Sequence, residues 1–586
     1  MKYAAICVIC CIMFAFGKAQ SPAPLDYNEM ADPTVVDSAS WNAMPADRLI
    51  SFGDVDVRYS KRKVPVIQQP ATTWKTVAWK NEKVHTQFFV ASRKKIFQLQ
   101  IEADSLTDGK GNNINAANVK TGFVRYVMTD ELNKDGGGCG FRPDTRAFDS
   151  SLVADGIDFI PVKNVTAYST QPVWLSVKVP SNTPAGNYTG TIKVKQYGGE
   201  VLQTLSYSVE VKNYTLPDPK DWAFYLDLWQ NPFAIARMHG VQCWSDEHFA
   251  IMQPYMKNLA NAGQKVITVS MIYDPWNEQT EDPFYSMVKW TKKKNGSWAY
   301  DYTVFDKWVS FMMAQGINKA INCYSMIPWG LNFKYYDESL GRDTFIIAKA
   351  GSPEYNAHWK PMLTDFAKHL KEKGWFSKTA IAMDEREMKD MQQAIALIKS
   401  VDKNFRVSLA GNYHPEIQKD IDDYCIASAH NFPDDVRKQR EKDGMISTYY
   451  TCCVEGFPNT FTFSPPAEAA WIGWYAANKN FNGYLRWAYN SWTANPLTDS
   501  RFRTWAAGDT YLVYPGPRSS IRFERLIEGI QDNEKIRLLK STFVKNKDNQ
   551  KLQQLNAMLA PFEIADIKSK GAAVMLNEGK AALNQF

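Results

Sequence analysis

Two carboxylates stand side by side in the stretch TAIAMDEREM (379–388), directly after a short apolar run. Asp384 and Glu385 are consecutive, so their Cα atoms lie about 3.8 Å apart and, in a regular strand, their side chains point to opposite faces. The acid and the nucleophile of a retaining glycosidase flank the scissile bond with carboxyl groups about 5–5.5 Å apart. Neighbouring residues cannot easily straddle a sugar in this way. At a strand tip, where the chain turns, both can still reach one side of a substrate, and there they must do different jobs.

A substrate that carries its own nucleophile explains such a division of work. The carbonyl oxygen of a 2-acetamido sugar can attack the anomeric carbon of the same ring, with an effective molarity on the order of 10⁵ M or more. Asp384 then accepts the amide N–H and stabilises the cationic oxazoline, while Glu385 protonates the leaving oxygen and later activates water. Two close carboxylates also push their pKa values apart, which keeps one of them protonated near neutral pH. The pair therefore predicts substrate-assisted glycoside hydrolysis.

Three other interpretations of the pair stay open. In the first, which is purely structural, Asp384 caps the next helix and Glu385 faces solvent. In the second, Glu385 is the acid/base of an ordinary two-carboxylate retaining mechanism and Glu455, in TCCVEGF, is the nucleophile near another strand end. In the third, the protein binds glycans without hydrolysing them.

The elements that position the pair alternate between strand and helix patterns from 222 to 540. The predicted strands are WAFYLDLWQ, KVITVSMIY, KAINCYSMIP, TAIAMDE, RVSLAGNY, DDYCIASAHN, ISTYYTCCV and NGYLRWAYN. The predicted helices include 248–263, 303–315, 355–373, 389–400, 433–443, 465–479 and 520–540. Eight strand-then-helix units suit a (β/α)8 barrel of the TIM type, whose active sites lie at the carboxyl ends of the strands. Asp384 and Glu385 then end the fourth strand, on the catalytic face.

Polar and aromatic residues also follow the other predicted strands, as in a sugar pocket. These positions are Trp229, Gln230, 273–276, Pro328, Trp329, 412–414, His430, Asn431, Tyr449, Tyr450 and 487–492. Among them we expect Trp487 or Trp492 to be a stacking platform and Tyr450 to donate to the acetamido group. We expect Asn412, His430 and Asn490 to bind sugar hydroxyls. The aromatic residues are equally compatible with a barrel core, and His430 with a buried, hydrogen-bonded histidine.

The regions on either side of the barrel have different patterns. Residues 20–215 alternate apolar and polar side chains in short runs such as VWLSVKVP, which predicts a β-sandwich. NYTLPDPKD (213–221) reads as a linker, and 541–586 as a short helical extension. Residues 1–19 have a cation, an apolar run and a small-x-small site, which indicates a cleaved signal peptide. We expect an exported periplasmic or extracellular protein with no membrane span.

Composition excludes several other functions. The 68 basic residues nearly balance the 62 acidic ones and form no basic stripe, which argues against nucleic acid as a partner. The seven histidines include no HExxH pair, and the cysteines show no metal spacing. The six cysteines after residue 19 are too few for a disulfide scaffold, so we expect mainly buried free thiols. We expect neither a metal nor another cofactor.

The sequence resembles glycoside hydrolase family 123, exported bacterial β-N-acetylgalactosaminidases. The resemblance rests on PVWLSVKVPSNTPAGNYTGTIKVK, on AGDTYLVYPGPRSSIRFERLIEGIQDNEKIRLL near the barrel end, and on the adjacent acids. It implies an N-terminal β-sandwich and a (β/α)8 catalytic domain. It also implies that Asp384 orients the acetamido group and that Glu385 is the general acid/base. The expected substrate is a glycolipid or oligosaccharide ending in β-linked N-acetylgalactosamine. The choice of galactosamine over glucosamine rests on the resemblance alone.

Overall fold

The computed structural model describes residues 27–130, 139–140, 142 and 150–586. The predicted signal peptide, residues 1–19, lies outside the described residues, so export stays a prediction. In the described part of the chain no helix is both long and apolar enough to cross a membrane.

The N-terminal region consists of strands with one short helix. Its elements are α1 (Ser38–Asn42), β1 (Arg48–Gly53), β2 (Thr73–Lys80), β3 (Lys83–Ser92), β4 (Ile96–Ala103), β5 (Leu106–Thr107), β6 (Asn113–Ile114), β7 (Val119–Thr129), β8 (Ser151–Asp158), β9 (Lys163–Val165), β10 (Ser169–Lys178), β11 (Gly186–Lys195) and β12 (Val201–Thr215). Two mainly antiparallel sheets form, in the orders β1-β3-β10-β7-β8 and β2-β12-β11-β4-β9. Phe88, Leu175, Ile192 and Leu205 are fully buried in one core that both sheets share.

The strand β10 departs from the alternation that VWLSVKVP suggests. Leu175 and Val177 enter the core between the sheets, as the pattern predicts. The opposite side of the strand is also covered: Trp174 is 1% exposed and packs in a cluster with Ile521, from the C-terminal half of the chain. Both faces of this strand are therefore buried, because a second part of the protein lies against it.

The second half of the chain alternates strands and helices. Its elements are β13 (Tyr225–Leu228), α2 (Pro232–His239), α3 (Asp246–Asn261), β14 (Val266–Ser270), β15 (Lys289–Lys292), β16 (Trp298–Asp301), α4 (Thr303–Ala314), β17 (Ala320–Tyr324), β18 (Asn332–Asp337), β19 (Arg342–Ile347), α5 (Pro353–Glu372), β20 (Thr379–Asp384), α6 (Met388–Val401), β21 (Arg406–Gly411), β22 (Asp423–Ala427), α7 (Asp434–Lys442), β23 (Ile446–Tyr450), α8 (Pro466–Lys479), β24 (Gly483–Arg486), β25 (Ser519–Ser520), α9 (Ile521–Lys545), α10 (Asn549–Leu559), α11 (Ile564–Lys570) and α12 (Ala572–Leu583).

Eight of these strands form a nearly closed parallel barrel. Their order is β13-β24-β23-β22-β21-β20-β17-β14, and each neighbouring pair is parallel. The two end strands meet at a single bridge between Leu226 and Gln264, next to a hydrogen bond of 2.9 Å from the Lys265 N–H to the Leu226 carbonyl. All carboxyl ends of the strands thus open on one face, where β20 brings Asp384.

The barrel differs from the eight predicted strand-then-helix units at one crossover. Residues 412–422, between β21 and β22, form turns and no helix. This connection is short and contains Pro415, which removes a backbone donor and disfavours helical geometry in the residue before it. The predicted helix positions elsewhere agree with α3 to α9 within a few residues.

A four-stranded sheet that the periodicity did not predict interrupts two of the crossovers. Its order is β16-β15-β18-β19, with β15 and β16 inserted after β14, and β18 and β19 inserted after β17. We call it the insert sheet. Both insertions leave the barrel at the carboxyl ends of strands, so the insert sheet stands beside the catalytic face.

The two halves of the chain are joined by charged side chains and by a strand. Ser519 of β25 pairs with Ile157 of β8, which adds the C-terminal half to the first N-terminal sheet. Arg522 lies 2.9 Å from Asp155, and both side chains are almost fully buried. Because buried ion pairs need close geometry to offset desolvation, these contacts fix how the two halves sit together.

Candidate active site

A cavity of about 170 Å³ opens at the carboxyl ends of the barrel strands, with Asp384 in its wall. Its lining residues are Trp229, Trp276, Gln279, Trp329, Asp384, Ala410, Tyr450, Cys452, Cys453, Leu485, Trp487, Trp505 and Asp509. Six of the thirteen lining residues are aromatic and a few are polar, which is the composition of a pocket that stacks and orients a small polar ligand.

Asp384 is held by donors from two neighbouring loops and from its own turn. The Trp276 Nε1–H donates to Oδ1 at 3.3 Å, and the Arg386 guanidinium donates to Oδ2 at 3.3 Å. Burial raises the pKa of this carboxyl above its ordinary value, and Arg386, Trp276 and Trp329 oppose that rise. Asp384 is thus a half-buried acceptor whose charge is balanced by one cation, Arg386.

Arg386 also fixes the turn that carries both acids. Its guanidinium carbon lies 3.9 Å from the centre of the Trp329 ring, and its Nε–H donates to the Ile327 carbonyl at 3.1 Å. A third donor reaches the Glu385 carbonyl at 2.6 Å. The planar guanidinium suits this combination of stacking and several hydrogen bonds, which a lysine could not reproduce.

Glu385 is not among the residues that line the cavity, and it lies in a different, more polar environment at the end of β21. The Asn412 backbone N–H donates to Oε2 at 2.7 Å and the Asn412 side-chain amide donates to Oε1 at 2.9 Å. His414 Nε2 lies 3.1 Å from Oε1. A Cβ at Gly411 would stand 2.7 Å from the Glu385 Cβ, so the glycine gives this side chain room to lie against β21.

The far wall of the cavity rests on a buried ion pair. Arg486 donates to Asp509 Oδ1 at 2.6 Å, and both side chains are fully buried. The Trp487 Nε1–H donates to the other oxygen of Asp509 at 3.2 Å, and burial raises the pKa of Asp509 to about 6. Trp487 in turn meets Trp505 edge-on, with ring centres 5.8 Å apart. The pair therefore fixes the orientation of an aromatic wall.

Two of the predicted sugar-binding residues line this cavity, and a third contacts the acid pair. Tyr450, the last residue of β23, and Trp487 both stand in the wall. Asn412 does not line the cavity; both of its donors are directed at Glu385. Their roles toward a sugar stay predictions.

The other three predicted residues lie outside the cavity lining. Trp492 is fully buried and donates to the Val513 carbonyl at 2.7 Å, so its position does not suit a stacking platform. Asn490 is fully buried too, and its amide exchanges hydrogen bonds with the Asn231 backbone. His430 is half-buried in the loop after β22. The strand β24 ends at Arg486, so 488–492 turn back into the protein, and spacing alone did not indicate this.

Glu455, the nucleophile of the two-carboxylate alternative, does not line the cavity either. Its carboxylate accepts from the Ser428 hydroxyl at 3.1 Å and from the Cys452 backbone N–H at 2.8 Å. These contacts hold the loop that follows β23.

Several cavity residues were not predicted individually. Trp276 and Trp329 belong to the polar and aromatic positions that follow strands, but no pattern distinguishes them from the other residues of that group. Gln279, Trp505 and Asp509 lie in long connections, and the Trp505 Nε1–H donates to the Gln279 carbonyl at 2.9 Å across two of these loops. No periodicity marks such residues, because their meeting depends on how the loops fold.

One disulfide reaches the cavity wall. Cys139 is bonded to Cys453, and 314 positions separate them in sequence. The expectation of free thiols is wrong for this pair, while Cys243, Cys323, Cys425 and Cys452 are free. Cys139 lies between β7 and β8, so the bond ties the N-terminal region to the rim of the barrel. Among the described residues, no group of three or more His, Cys, Asp or Glu side chains is arranged to hold a metal ion.

Comparison with known proteins agrees with the geometry. A family 123 glycoside hydrolase from Clostridium perfringens, described in a study of glycolipid glycan hydrolysis, is 26% identical, with a TM-score of 0.83 over 92% of this chain and 98% of its own. A Parabacteroides merdae β-glucuronidase is 10% identical, with a TM-score of 0.27 over 75% of this chain and 52% of its own, which is too low to carry an argument. No curated protein sequence matches the chain.

The sequence itself matches two domain descriptions. Residues 229–539 match the glycoside hydrolase 123 catalytic domain, and this range contains Asp384, Glu385 and all the barrel strands after β13. Residues 52–196 match the glycoside hydrolase 123 N-terminal domain. The family resemblance seen in the sequence is thereby confirmed, and the chain belongs to glycoside hydrolase family 123.

Proposed function

We propose that this protein is a retaining, exo-acting glycoside hydrolase that removes terminal β-linked N-acetylgalactosamine by substrate-assisted catalysis. The observation that carries the proposal is the environment of Asp384, a carboxylate acceptor set among tryptophans in the cavity wall. An acetamido N–H needs such an acceptor, and its methyl group needs apolar surroundings. The N-terminal sheets and the barrel correspond in this proposal to the β-sandwich and (β/α)8 barrel of the family.

The absence of an available protein nucleophile in the cavity wall supports the same mechanism. Asp384 and Asp509 are the acids among the described lining residues. Both oxygens of Asp509 are occupied, by Arg486 and by Trp487. Glu455 holds the loop after β23 through Ser428 and Cys452. The acetamido carbonyl of the substrate is then the nucleophile.

In the proposed reaction the two acids have different roles. Asp384 accepts the acetamido N–H, which turns the carbonyl oxygen toward the anomeric carbon and offsets the positive charge that develops on the oxazoline. Glu385 transfers a proton to the departing glycosidic oxygen. In the second step Glu385 takes a proton from water, which opens the oxazoline with overall retention of configuration. His414 and Asn412 hold the Glu385 carboxyl while its proton leaves and returns.

Three aryl glycosides test the proposal. The purified mature chain is assayed on aryl β-N-acetylgalactosaminide, aryl β-N-acetylglucosaminide and aryl β-galactoside. Hydrolysis of the acetamido sugars only is the expected result, and the ratio between the two gives the preference at C4. Comparable hydrolysis of the plain galactoside would place the nucleophile on the protein, and Glu455→Gln and Asp509→Asn would then identify it.

The natural substrate in this proposal is a glycolipid or an oligosaccharide, and the enzyme acts after export to the periplasm or the cell exterior. The signal-like segment 1–19 motivates the location, and the similar Clostridium perfringens hydrolase, described for glycolipid glycans, motivates the substrate class. Detection of the mature chain in cytoplasmic fractions only would contradict the location.

A further inference from the structure

The outward face of the insert sheet carries two large, exposed apolar side chains, Phe345 and Ile347, beside polar ones. Strands β18 and β19 are antiparallel, with Lys334 opposite Phe345 and Asn332 opposite Ile347. Phe345 is 56% exposed and Ile347 is 71% exposed. A sheet with one solvated face normally carries polar side chains there, and edge strands such as β19 normally avoid exposed apolar ones.

The opposite face of the same hairpin shows that this exposure is not a loose packing of the strands. Phe333 is fully buried and Tyr335 is 9% exposed, so successive residues of β18 alternate strictly. The Phe333 ring lies 5.3 Å from the His358 ring and 5.5 Å from the Trp359 ring, both on α5. The inward face is thus anchored on the barrel, and the register holds Phe345 and Ile347 outward.

Cations and tyrosines lie next to these apolar side chains. The Lys334 Nζ stands 4.6 Å from the centre of the Tyr273 ring, which is 5.7 Å from the Tyr285 ring. Tyr285 is 50% exposed, and Lys289 approaches Tyr336 on the neighbouring strand at 6.0 Å. Interleaved aromatic, aliphatic and lysine side chains match the boundary of a lipid layer, where rings sit at headgroup level and ammonium groups meet phosphates.

This face continues into the rim of the active-site cavity. Trp329 lines the cavity and is 56% exposed. It precedes Asn332, the partner of Ile347, by three residues, a span of at most about 10 Å. The Ala348 N–H donates to the Leu331 carbonyl at 3.2 Å, so the open end of the β18–β19 hairpin lies close to that tryptophan in sequence. A surface that lies on this face would therefore meet the cavity opening.

We propose that Phe345, Ile347, Lys334, Tyr285 and Trp329, together called the insert face, dock the enzyme on a lipid surface and bring the cavity to the glycan of a membrane glycolipid. The glycan part of this inference rests on the proposed function, whereas lipid binding does not. An isolated oligosaccharide would find few hydrogen-bonding groups on Phe345 and Ile347. The apolar side chains instead enter the lipid boundary, and Lys334 faces its phosphates.

The experiment compares Phe345→Ser/Ile347→Ser with a matched control, Tyr197→Ser/Val201→Ser. The control removes an aromatic and a β-branched side chain that are 70% and 48% exposed on the N-terminal region. Each protein is sedimented with phosphatidylcholine vesicles, with and without a glycolipid that ends in β-linked N-acetylgalactosamine. Hydrolysis of that glycolipid in vesicles and of soluble aryl β-N-acetylgalactosaminide is measured in parallel.

We expect the insert-face variant to bind both kinds of vesicle about tenfold more weakly than the wild type and the control. Its rate of glycolipid hydrolysis in vesicles should fall by a similar factor, while its kcat/KM on the soluble aryl glycoside should be unchanged. Vesicle binding that is absent in the wild type, or equal in all three proteins, would overturn the inference. So would unchanged vesicle binding with a loss of dimers in size-exclusion chromatography, because the face would then join two copies. Weaker vesicle binding by the variant, with no aryl hydrolysis even by the wild type, would support lipid docking and reject the proposed function.

Discussion

The two sides of the acid pair differ more than their adjacency suggests. On one side, Asp384 is surrounded by tryptophans and by one guanidinium, and burial raises its pKa. On the other side, Glu385 is held by an amide and an imidazole at the end of β21. Consecutive residues reach such different surroundings because the strand ends between them and the chain turns toward its neighbour. The difference is consistent with the proposed roles, in which Asp384 accepts and stabilises and Glu385 exchanges a proton.

The sharpest test of this comparison is removal of the proton-exchanging group. Glu385→Gln should lower kcat on substrates with poor leaving groups about 10²–10⁴-fold, because general acid assistance is lost. The loss should be much smaller for a dinitrophenyl leaving group, which departs without a proton. Steady-state kinetics on a series of aryl glycosides measures this, and equal losses across the series would contradict the assigned role.

Removal of the acceptor should have the next largest effect. Asp384→Asn should lower kcat/KM about 10²–10³-fold, the usual cost of losing one electrostatic stabiliser of a transition state. It should also weaken inhibition by a thiazoline that mimics the bound acetamido intermediate, whereas Glu385→Gln should still bind this inhibitor. A thiazoline that fails to inhibit the wild type would reject the acetamido argument itself.

The cation on the Asp384 side should matter less than the acid it holds. Arg386→Met should lower kcat/KM about tenfold, since it removes a hydrogen bond to a charged group and the stacking on Trp329. Arg93→Met is the matched control, because Arg93 pairs with Asp47 at 3.0 Å on the N-terminal sheets. Kinetics together with the thermal midpoint of unfolding distinguish a catalytic effect from general destabilisation. An equal loss of kcat/KM in Arg93→Met would contradict a specific role of Arg386 at the active site.

The smallest expected effect is a shift in pH dependence. Asp384 must be ionised to accept the amide N–H, and burial raises its pKa. Activity should therefore be lost as pH falls through that raised pKa, at a higher pH than for an ordinary aspartate. Arg386 lowers this pKa, so the acid limb of kcat/KM should move to higher pH in Arg386→Met. An acid limb that is unmoved in this variant, or still present in the residual activity of Asp384→Asn, would assign it to another group.

Local patterns in the sequence determined much of this protein. Alternation of apolar residues gave the strand-rich N-terminal region, and the change to strand-then-helix periods gave the parallel barrel. Once the barrel was recognised, Asp384 and Glu385 had to lie at the catalytic face, because parallel strands place all their carboxyl ends on one side. Tyr450 and Trp487 were reachable by the same argument, since each lies at or just beyond a strand end.

Only the tertiary structure decided which further side chains meet there. Trp505 and Asp509 come from long connections, Cys453 is bonded across 314 positions to Cys139, and the insert sheet combines strands from two separate loops. Trp492 lies beyond a strand end as Trp487 does, yet it turns into the core. The physical reason is that periodicity records which face of an element is buried, whereas a loop takes its path from distant contacts that no local pattern encodes.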